Sequence, residues 1–557
     1  MSSSLKTVKT RKGMTATPQT QKARPEQIKN AAGGYTFKVE DLDRVKRFLI
    51  LGAETNYYTP GAEMAKENAD TLIRVVSTDE GSKAVVDLIV EYSTQGRAPK
   101  QDAGLFALAL ASSHGSDKAR GYALAQLSKV ARTGTTLIQF VNFALQFRGW
   151  GRALKRAVAE WYTDKPVDKV AFQAVKYRQR EGWTHRDLFR TAHPVTTDPA
   201  FQALGRYILK GEVSEASPRL VQGFTVAQAP GADVPALIRE YGLSWEMVPT
   251  QSLNDREVWD ALMDANLPLG ALLRNLPKLT NLGFFEKMKD GSRLAEVVKR
   301  LTDQEEVERA RLHPVKVLEA MRTYANGHSE RGSSTWTPSR DIIAALDTTF
   351  RLSFKNVTPS GKRTLIGLDV SGSMGSTYGG ILSAREITGA IATYITATEP
   401  ETHVIGFTGG SRGYGWGYGS SRTVSAAGSG KFGSTVTELS DKIDPSRRLD
   451  DILASISGLP FGSTDVSLPM LYALEKGLRP EVFVIMTDND TYAGTMQPHE
   501  ALEKYRRETG IDARLIVLST VASRNKVIDP KDKFSLDIAG FDSAAPQLMS
   551  SFARGDF

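Results

Sequence analysis

The chain contains no cysteine. That excludes disulfides, thiol catalysis and cysteine-ligated zinc, and it suits a reducing cytoplasmic compartment. No stretch approaches the roughly 18 consecutive apolar residues of a membrane span. The N-terminus carries no apolar signal-peptide core, so an extracellular destination is not expected. None of the 7 histidines stands in an H-E-x-x-H arrangement or in a tight pair with a nucleophile. Acid is scarce at the start: residues 1–34 hold a single acidic residue, Glu26, among Lys, Arg, Ser, Thr and Gln. With no apolar period, this stretch reads as a disordered basic arm. A transit peptide shares that composition but calls for an amphipathic helix, which is not visible here.

What is present is the composition of a globular protein: 557 residues, 41% hydrophobic and 24% charged. At roughly 150 residues per domain, several domains or a few large ones are expected. The formal net charge of +8 is unevenly placed. Gly361–Phe557 has 20 Lys and Arg against 23 Asp and Glu, which leaves 51 against 40 in the first 360 residues. The positive excess therefore lies wholly in the N-terminal part. A polyanion partner, RNA foremost, is one reading of it, and a charge that serves solubility is the other.

From Tyr35 to about Leu346 the apolar residues recur at helical spacing. Leu42, Val45, Phe48 and Leu49 make one face, Leu72, Val75 and Val76 another, and Val85, Leu88, Ile89 and Tyr92 a third. Leu105, Leu108 and Ala109, then Leu124, Leu127 and Val130–Ala131, continue the series. Short amphipathic helices in succession, separated by Gly and polar turns, predict stacked helical pairs of the solenoid kind, although no repeat of fixed period stands out. After Asn356–Gly361 the pattern changes. Thr364–Asp369, His403–Phe407, Val482–Met486 and Leu515–Leu518 read as buried strands. Ser383–Ala397, Leu449–Gly458, Val466–Gly477 and Pro498–Thr509 read as helices. That alternation predicts a doubly wound α/β domain with a mostly parallel sheet. Within it Gly409–Gly433 is a Gly, Ser, Tyr and Arg-rich loop. Its Tyr414, Trp416 and Tyr418 beside Arg412 and Arg422 suit base stacking, or the segment is a solvated insertion.

Asp369-Val370-Ser371-Gly372-Ser373 closes the first α/β strand as a D-x-S-x-S motif. Open α/β sheets place ligand sites at such carboxyl ends. The alternate spacing lets Asp369, Ser371 and Ser373 converge above the sheet. A carboxylate and hydroxyls are hard oxygen donors suited to Mg²⁺ or Mn²⁺. Gly462-Ser463-Thr464-Asp465, before a helix, offers Thr464, and Thr487-Asp488, after a strand, offers Asp488. Asp465 is expected to cap the following helix, and Asp490 has no assigned role. The alternative is a loop hydrogen-bond cluster without metal. A nuclease using this metal is disfavoured, because phosphoryl transfer calls for a carboxylate-rich, often two-metal centre.

The densest cationic stretch with aromatics is Lys176–Asp187, KYRQREGWTHRD. Lys176 and Arg180 are four apart and are expected to share a helix face, with Gly182 ending that helix. Thr184 with Asp187 fits a capping box that starts a second helix running toward Arg190 and His193. The result is a helical hairpin presenting Lys176, Arg180 and His193 to phosphates, with Tyr177 and Trp183 able to stack or to pack. A merely solvated helix face is the competing account.

The metal motif set closely resembles the von Willebrand factor A domain with its metal-ion-dependent adhesion site (MIDAS). The Lys176–His193 segment resembles the Ro autoantigen family, whose helical part is the TROVE module. Gly34-Tyr35, Asp43–Leu49, Trp150–Leu154, Leu272–Leu276, His313-Pro314, Ser353–Lys355, Pro359–Arg363 and Gly540–Asp542 resemble that family as well. The likeness runs from about residue 34 to the C-terminus. It implies an all-α, HEAT-like helical-repeat ring over 35–358, closed by an α/β doubly wound A domain over 359–557. In the A-domain pattern Ser371, Ser373 and Thr464 are direct or near-direct ligands, Asp369 and Asp488 bind directly or through water, and a partner carboxylate takes the open position. That role is adhesion, not catalysis. The Ro resemblance implies Y-like small noncoding RNA on a basic outer surface, with Lys176, Arg180 and His193 matching the residues that bind it. It also implies single-stranded 3′ ends of misfolded RNA in a central hole, with the basic helix of Arg148, Arg152, Lys155 and Arg156 along the RNA path. A closed ring of this length is compatible with a monomer.

Two features depart from the family pattern. The Gly409–Gly433 loop is not expected of animal members, and the basic arm is longer than the signature requires. The lack of cysteine leans toward a bacterial or phage-type member, whose relatives are linked to exoribonuclease partners. The leading expectation is a non-catalytic RNA-binding protein of RNA quality control or decay. The runner-up is an adhesion-type scaffold gripping a protein carboxylate through the A domain.

Overall fold

The computed structural model describes residues 16–52, 61–95, 97, 101–180, 182–286, 292–329, 332–354, 358–375, 382–409, 436–457, 462–520, 525–540 and 545–556. Residues 1–15, and nearly all of the Gly-rich loop with its Tyr414, Trp416, Tyr418, Arg412 and Arg422, lie outside the described residues.

Between Asp41 and Leu352 the described residues form a succession of α-helices, from Asp41–Leu51 to Arg340–Leu352. Their apolar stripes are too wide for solvent, and each helix buries its stripe against helices a short way along the chain. Gly134–Phe147, for instance, lies on Asp102–Ala111, and Arg340–Leu352 on Pro314–Asn326. Trp161 is fully buried in this array, donates its indole N–H to the Ala131 carbonyl, and packs edge-on against Tyr162 at 5.0 Å.

The strands are β1 (Gln27–Lys29), β2 (Tyr35–Lys38), β3 (Gln179–Arg180), β4 (Trp183–Thr184), β5 (Thr364–Asp369), β6 (Thr402–Phe407), β7 (Val436–Glu438), β8 (Val482–Thr487), β9 (Arg514–Ser519), β10 (Asn525–Lys526) and β11 (Ser535–Ala539). Six of them make the A-domain sheet in the order β11-β9-β8-β5-β6-β7, parallel except for β7 at one edge. The period of two along each strand divides the core. Ile366, Leu368, Val404, Val484, Met486, Ile516 and Leu518 face a cluster continuous with the helical array. Leu365, Ile405, Phe407, Phe483, Ile485, Leu515 and Val517 face the other way, under Leu468–Lys476 and Pro498–Thr509.

Both ends of the helical series rest on this domain. At the start, Arg47 is 2% exposed, pairs with Asp537 of β11 and donates to the Asn525 carbonyl. At the end, Phe354 lies 4.0 Å from Tyr394 of the helix Ala384–Thr398. Arg311, late in the array, donates to the Thr94 carbonyl of an early helix. The series therefore closes on itself through the A domain. Among the described residues no helix is long and apolar enough to cross a membrane.

The expectation of a disordered arm over 1–34 fails for residues 16–34. β1 pairs antiparallel with β2, which pairs with β10, and the segment is pinned to the A domain by polar side chains. Gln19 and Gln27 are almost wholly buried. Thr17 bonds Glu500, Gln27 bonds Gln497, and Arg24 pairs with Asp529. Hydropathy periodicity cannot see an element anchored by amides rather than by apolar side chains.

Candidate metal centre and cationic hairpin

β5 and β8 are the adjacent strands from which the chain departs to opposite sides of the sheet, so a crevice opens at their carboxyl ends. Asp369 ends β5, and Asp488 follows β8. Asp369, Ser371, Ser373, Thr464 and Asp488 are all buried, the most exposed being Ser373 at 4%. Ser371 N donates to Asp369 Oδ1 at 2.9 Å, Thr487 Oγ1 donates to Asp369 Oδ2 at 2.7 Å, and the hydroxyls of Ser371 and Ser373 lie 3.1 Å apart. Gly372 N donates to the Gly462 carbonyl at 3.2 Å, which draws the Thr464 loop over the motif. Asn489 turns the chain after Asp488 with φ at 70°, a conformation that Asn tolerates better than most residues. Its amide side chain donates to Ser519 Oγ at 2.6 Å. The five sequence-predicted residues are thus gathered on the loops of one crevice.

Burial, then repulsion from Asp488, pushes the Asp369 carboxyl up to about 7. Burial raises Asp488 as well, opposed by a hydrogen bond with Ser373. Arg385 donates through Nη2 to the Val370 and Ser371 carbonyls, and its charge is felt by Asp369. Two buried carboxylates of like charge beside three hydroxyls are a costly arrangement for a protein alone. The same donors fit a hard divalent cation such as Mg²⁺. Among the described residues no three His, Asp or Glu side chains cluster as metal ligands, so any ion here depends on the hydroxyls. Asp465 does hold the start of its helix, taking Ser467 N at 3.0 Å and Ser467 Oγ at 2.6 Å on Oδ1. Asp490 donates its backbone N–H to Asp488 Oδ1 at 3.1 Å.

The cationic segment differs from the sequence expectation. The helix Val167–Lys176 stops before Arg180, and β3 and β4 form a small hairpin that pairs Arg180 with Trp183. Gly182, at φ 77°, turns that hairpin rather than ending a helix. Lys176 and Arg180 therefore do not share a helix face. Lys176 is also engaged: its ammonium is 3.2 Å from Glu246 and lies over the rings of Phe172 and Tyr177. Arg180 is exposed, and so is His193, which ends the helix His185–Ala192 in the left-handed conformation. The capping box of Thr184 and Asp187 is present as expected.

Arg178, Arg186 and Arg190, none of them assigned an RNA contact from the sequence, are exposed on this segment. Trp183 packs against Trp150 at 6.0 Å. With Gly182, Asp187, Arg190 and Thr191 it lines an open depression of about 390 Å³. Of the three arginines, Arg190 lies on the depression itself and Arg178 over the ring of Phe224 at 5.4 Å. Arg186 and Arg190 stand one helical turn apart, a like-charge pair that a bound anion relieves. The i, i+4 spacing in the sequence is the signal that could have found them.

The second basic group is divided. Arg148 donates to the Ser112 carbonyl and is partly desolvated, which lowers its pKa. Arg152 and Arg156 are exposed, with Glu160 3.8 Å from Arg156, and Lys155 is half-buried. These three open the helix Arg152–Thr163, whose first turn has no acid. Cations there oppose the helix dipole.

Beneath the hairpin His185 is buried, with Nδ1 2.7 Å from Tyr162 Oη. A Cβ on Gly134 would come within 2.6 Å of its Nε2, so this position requires glycine. Burial drives the His185 pKa down to about 4 from 6.5. The unfolded chain binds that proton more readily, so stability rises with pH across this window and is lost as pH falls from about 6.5 to about 4. A shift of that size corresponds to about 3 kcal/mol. Asp369, raised by burial, acts with the opposite sign in this window, so the loss is read as a difference. In urea titrations at pH 7 and pH 4.5, wild type is expected to lose about 2–3 kcal/mol more than His185→Gln on acidification.

Comparison with known proteins agrees with this architecture. A family profile described as the TROVE domain matches residues 28–219 and 240–323, and one described as the Ro60 vWA domain matches 363–553. A Caenorhabditis elegans protein named RNA-binding protein RO60 is 33% identical over 96% of this chain and 91% of its own length. The Deinococcus radiodurans protein of the same name is 34% identical over 97% of each chain. The crystal structure of the Deinococcus radiodurans RO (RSR) protein superposes with a TM-score of 0.68 at 33% identity, covering 93% of this chain and 100% of that one.

Proposed function

This chain belongs to the Ro60 family, and from that premise we propose that it binds RNA as a scaffold without chemistry of its own. The observation that carries the reading is the exposed cationic hairpin. Arg178, Arg180, Arg186 and Arg190 are exposed on this segment, Arg190 and Trp183 line its depression, and the first 360 residues hold all of the chain's net positive charge. Arginines neutralise phosphates and Trp183 offers a ring face, the combination that structured RNA with unpaired bases calls for. Y-like small noncoding RNA is the proposed ligand of this surface, with Arg180 and His193 touching it. Lys176 joins them only if RNA displaces Glu246.

The closure of the helical series through the A domain supports a second mode, in which the single-stranded 3′ end of a misfolded RNA enters the opening of a monomeric ring. Arg152, Lys155 and Arg156 are proposed for that path, and Arg148 contributes charge from its fixed position. In the A domain Asp369, Ser371, Ser373, Thr464 and Asp488 would hold Mg²⁺, which would supply a coordination position for a carboxylate of a protein partner. An exoribonuclease is the partner proposed for RNA decay in a cytoplasmic setting. The completeness of that donor set favours one alternative, a carboxylate-binding scaffold for which RNA is incidental.

The deciding experiment is binding of the purified full chain at physiological salt to a stem-loop RNA with a single-stranded 3′ tail. Blunt duplex RNA and duplex DNA are the comparisons. Preference for the tailed RNA by about tenfold or more is expected, with affinity falling steeply as salt rises. Equal, salt-insensitive binding, or none, would return the protein to the scaffold reading.

A further inference from the structure

The N-terminal segment that the composition marks as disordered reaches the loops of the metal centre. Gln19 enters between them. Its Nε2 donates to Asp465 Oδ1 at 2.7 Å and to the Met496 carbonyl at 3.0 Å, and its Oε1 accepts from Thr491 Oγ1 at 2.5 Å. Its backbone N–H donates to the Gly494 carbonyl, and its carbonyl accepts from Tyr35 N. Asp465 directly follows Thr464. Thr491 lies shortly after Asp488 and accepts from Val466 N at 3.1 Å. Tyr492 N and Ala493 N close on the Thr464 carbonyl. One amide side chain, fully buried, thus ties the loop that carries Thr464 to the loop that carries Asp488.

The surroundings are shaped to admit it. A Cβ on Gly494 would stand 2.3 Å from Gln19 Nε2 and 2.4 Å from Asp465 Oδ1. A Cβ on Gly34 would stand 2.0 Å from the Thr491 carbonyl oxygen, where Asn30 Nδ2 also donates at 2.8 Å. Neither glycine has a positive φ here, so close approach explains them and backbone strain does not. Arg24, by contrast, fastens the same segment to Asp529 and Glu503, away from the metal loops.

We propose that Gln19 is a positioning residue for the metal centre, and that the N-terminal segment is a clasp that fixes Thr464 and Asp488 relative to the Asp369–Ser373 motif. This rests on the reading of those residues as a Mg²⁺ site. Loss of a group that orients the ligands without touching the ion typically costs about 10–100-fold in metal affinity.

The test uses the full chain as wild type, Gln19→Ala and Arg24→Ala. Gln19→Met, which keeps the side-chain length and removes both hydrogen-bonding ends, replaces the alanine variant if that one does not fold. Two quantities are read: amide exchange of Val466, Tyr492 and Ala493 without metal, and Mg²⁺ affinity by calorimetry. The Gln19 variant is expected to exchange faster at all three amides by about tenfold and to bind Mg²⁺ about tenfold more weakly. Arg24→Ala is expected to leave both near wild type. Faster exchange in a protein whose wild type takes no Mg²⁺ would uphold the clasp and remove the metal reading. Unchanged exchange overturns the proposal. So does equal loosening in Arg24→Ala, or unchanged Mg²⁺ affinity where the wild type binds the ion.

Discussion

In metal-free buffer at pH 7.5, Asp369→Asn is expected to melt at a higher temperature than the wild-type protein, and to lose all response to Mg²⁺. Asp369 and Asp488 are both buried, and the burial of one carboxylate beside another holds the Asp369 pKa near 7, far above its ordinary 3.8. The folded protein then binds more protons than the unfolded chain between about pH 4 and pH 7. Its metal-free stability falls as pH rises through that window. The amide removes the charge and keeps the shape, and the gain is on the order of a few kcal/mol. Mg²⁺ competes with the same proton, so its affinity in the wild type should climb as pH rises toward 7 and level off above it. Thermal melts with and without 5 mM Mg²⁺ (a concentration of roughly this order suffices for a weak hard-cation site) test both halves. A variant less stable than wild type without metal would refute the picture of two unreconciled charges. A variant that keeps the Mg²⁺ shift would refute Asp369 as a ligand.

The second large effect is expected in the cationic hairpin. Replacing Arg180, Arg186 and Arg190 together by Gln should weaken structured-RNA binding by about 100-fold at physiological salt. The slope of log affinity against log salt should become shallower by roughly 0.7–0.9 for each phosphate that is no longer neutralised. Melting should barely change, because all three residues are exposed. Lys176→Ala is expected to behave differently. Lys176 and Glu246 have only 14% and 21% of their side chains exposed. Removing the lysine strands a half-buried carboxylate, at a cost of about 1–3 kcal/mol. Filter binding and melting on the same preparations separate the two cases. If Lys176→Ala instead loses RNA affinity with no change in melting, the ion pair yields to phosphate in solution. If the triple variant binds RNA as wild type does, the hairpin is not the RNA surface.

Some of this protein is legible in its sequence because the deciding interactions are local. The apolar run of β5 and its terminal Asp369 mark that strand's bounds. The box of Thr184 and Asp187, and the helix that Ser383 caps through Glu386, need only residues three apart. The metal set can be assembled from distant loops because each donor sits at a strand end or before a helix, places that the chain order of an α/β fold fixes. Periodicity fails where geometry interrupts it. Lys176 and Arg180 have helical spacing, but the chain leaves the helix at Tyr177 and doubles back at Gly182, and spacing then no longer means a shared face.

The sequence by itself determined the two kinds of domain, the order of the metal donors and the concentration of positive charge in the first 360 residues, since pattern, motif and composition are properties of the linear chain. Only the tertiary structure decided that Lys176 is held by Glu246 while Arg186 and Arg190 face solvent. It alone closed the helical series on the A domain through Arg47 and Phe354. It also turned part of a polar, unpatterned arm into a buried clasp at Gln19. Each of these depends on which side chain meets which across long stretches of chain. A buried amide or ion pair is stabilised by the partner that satisfies it, and that partner is chosen by packing.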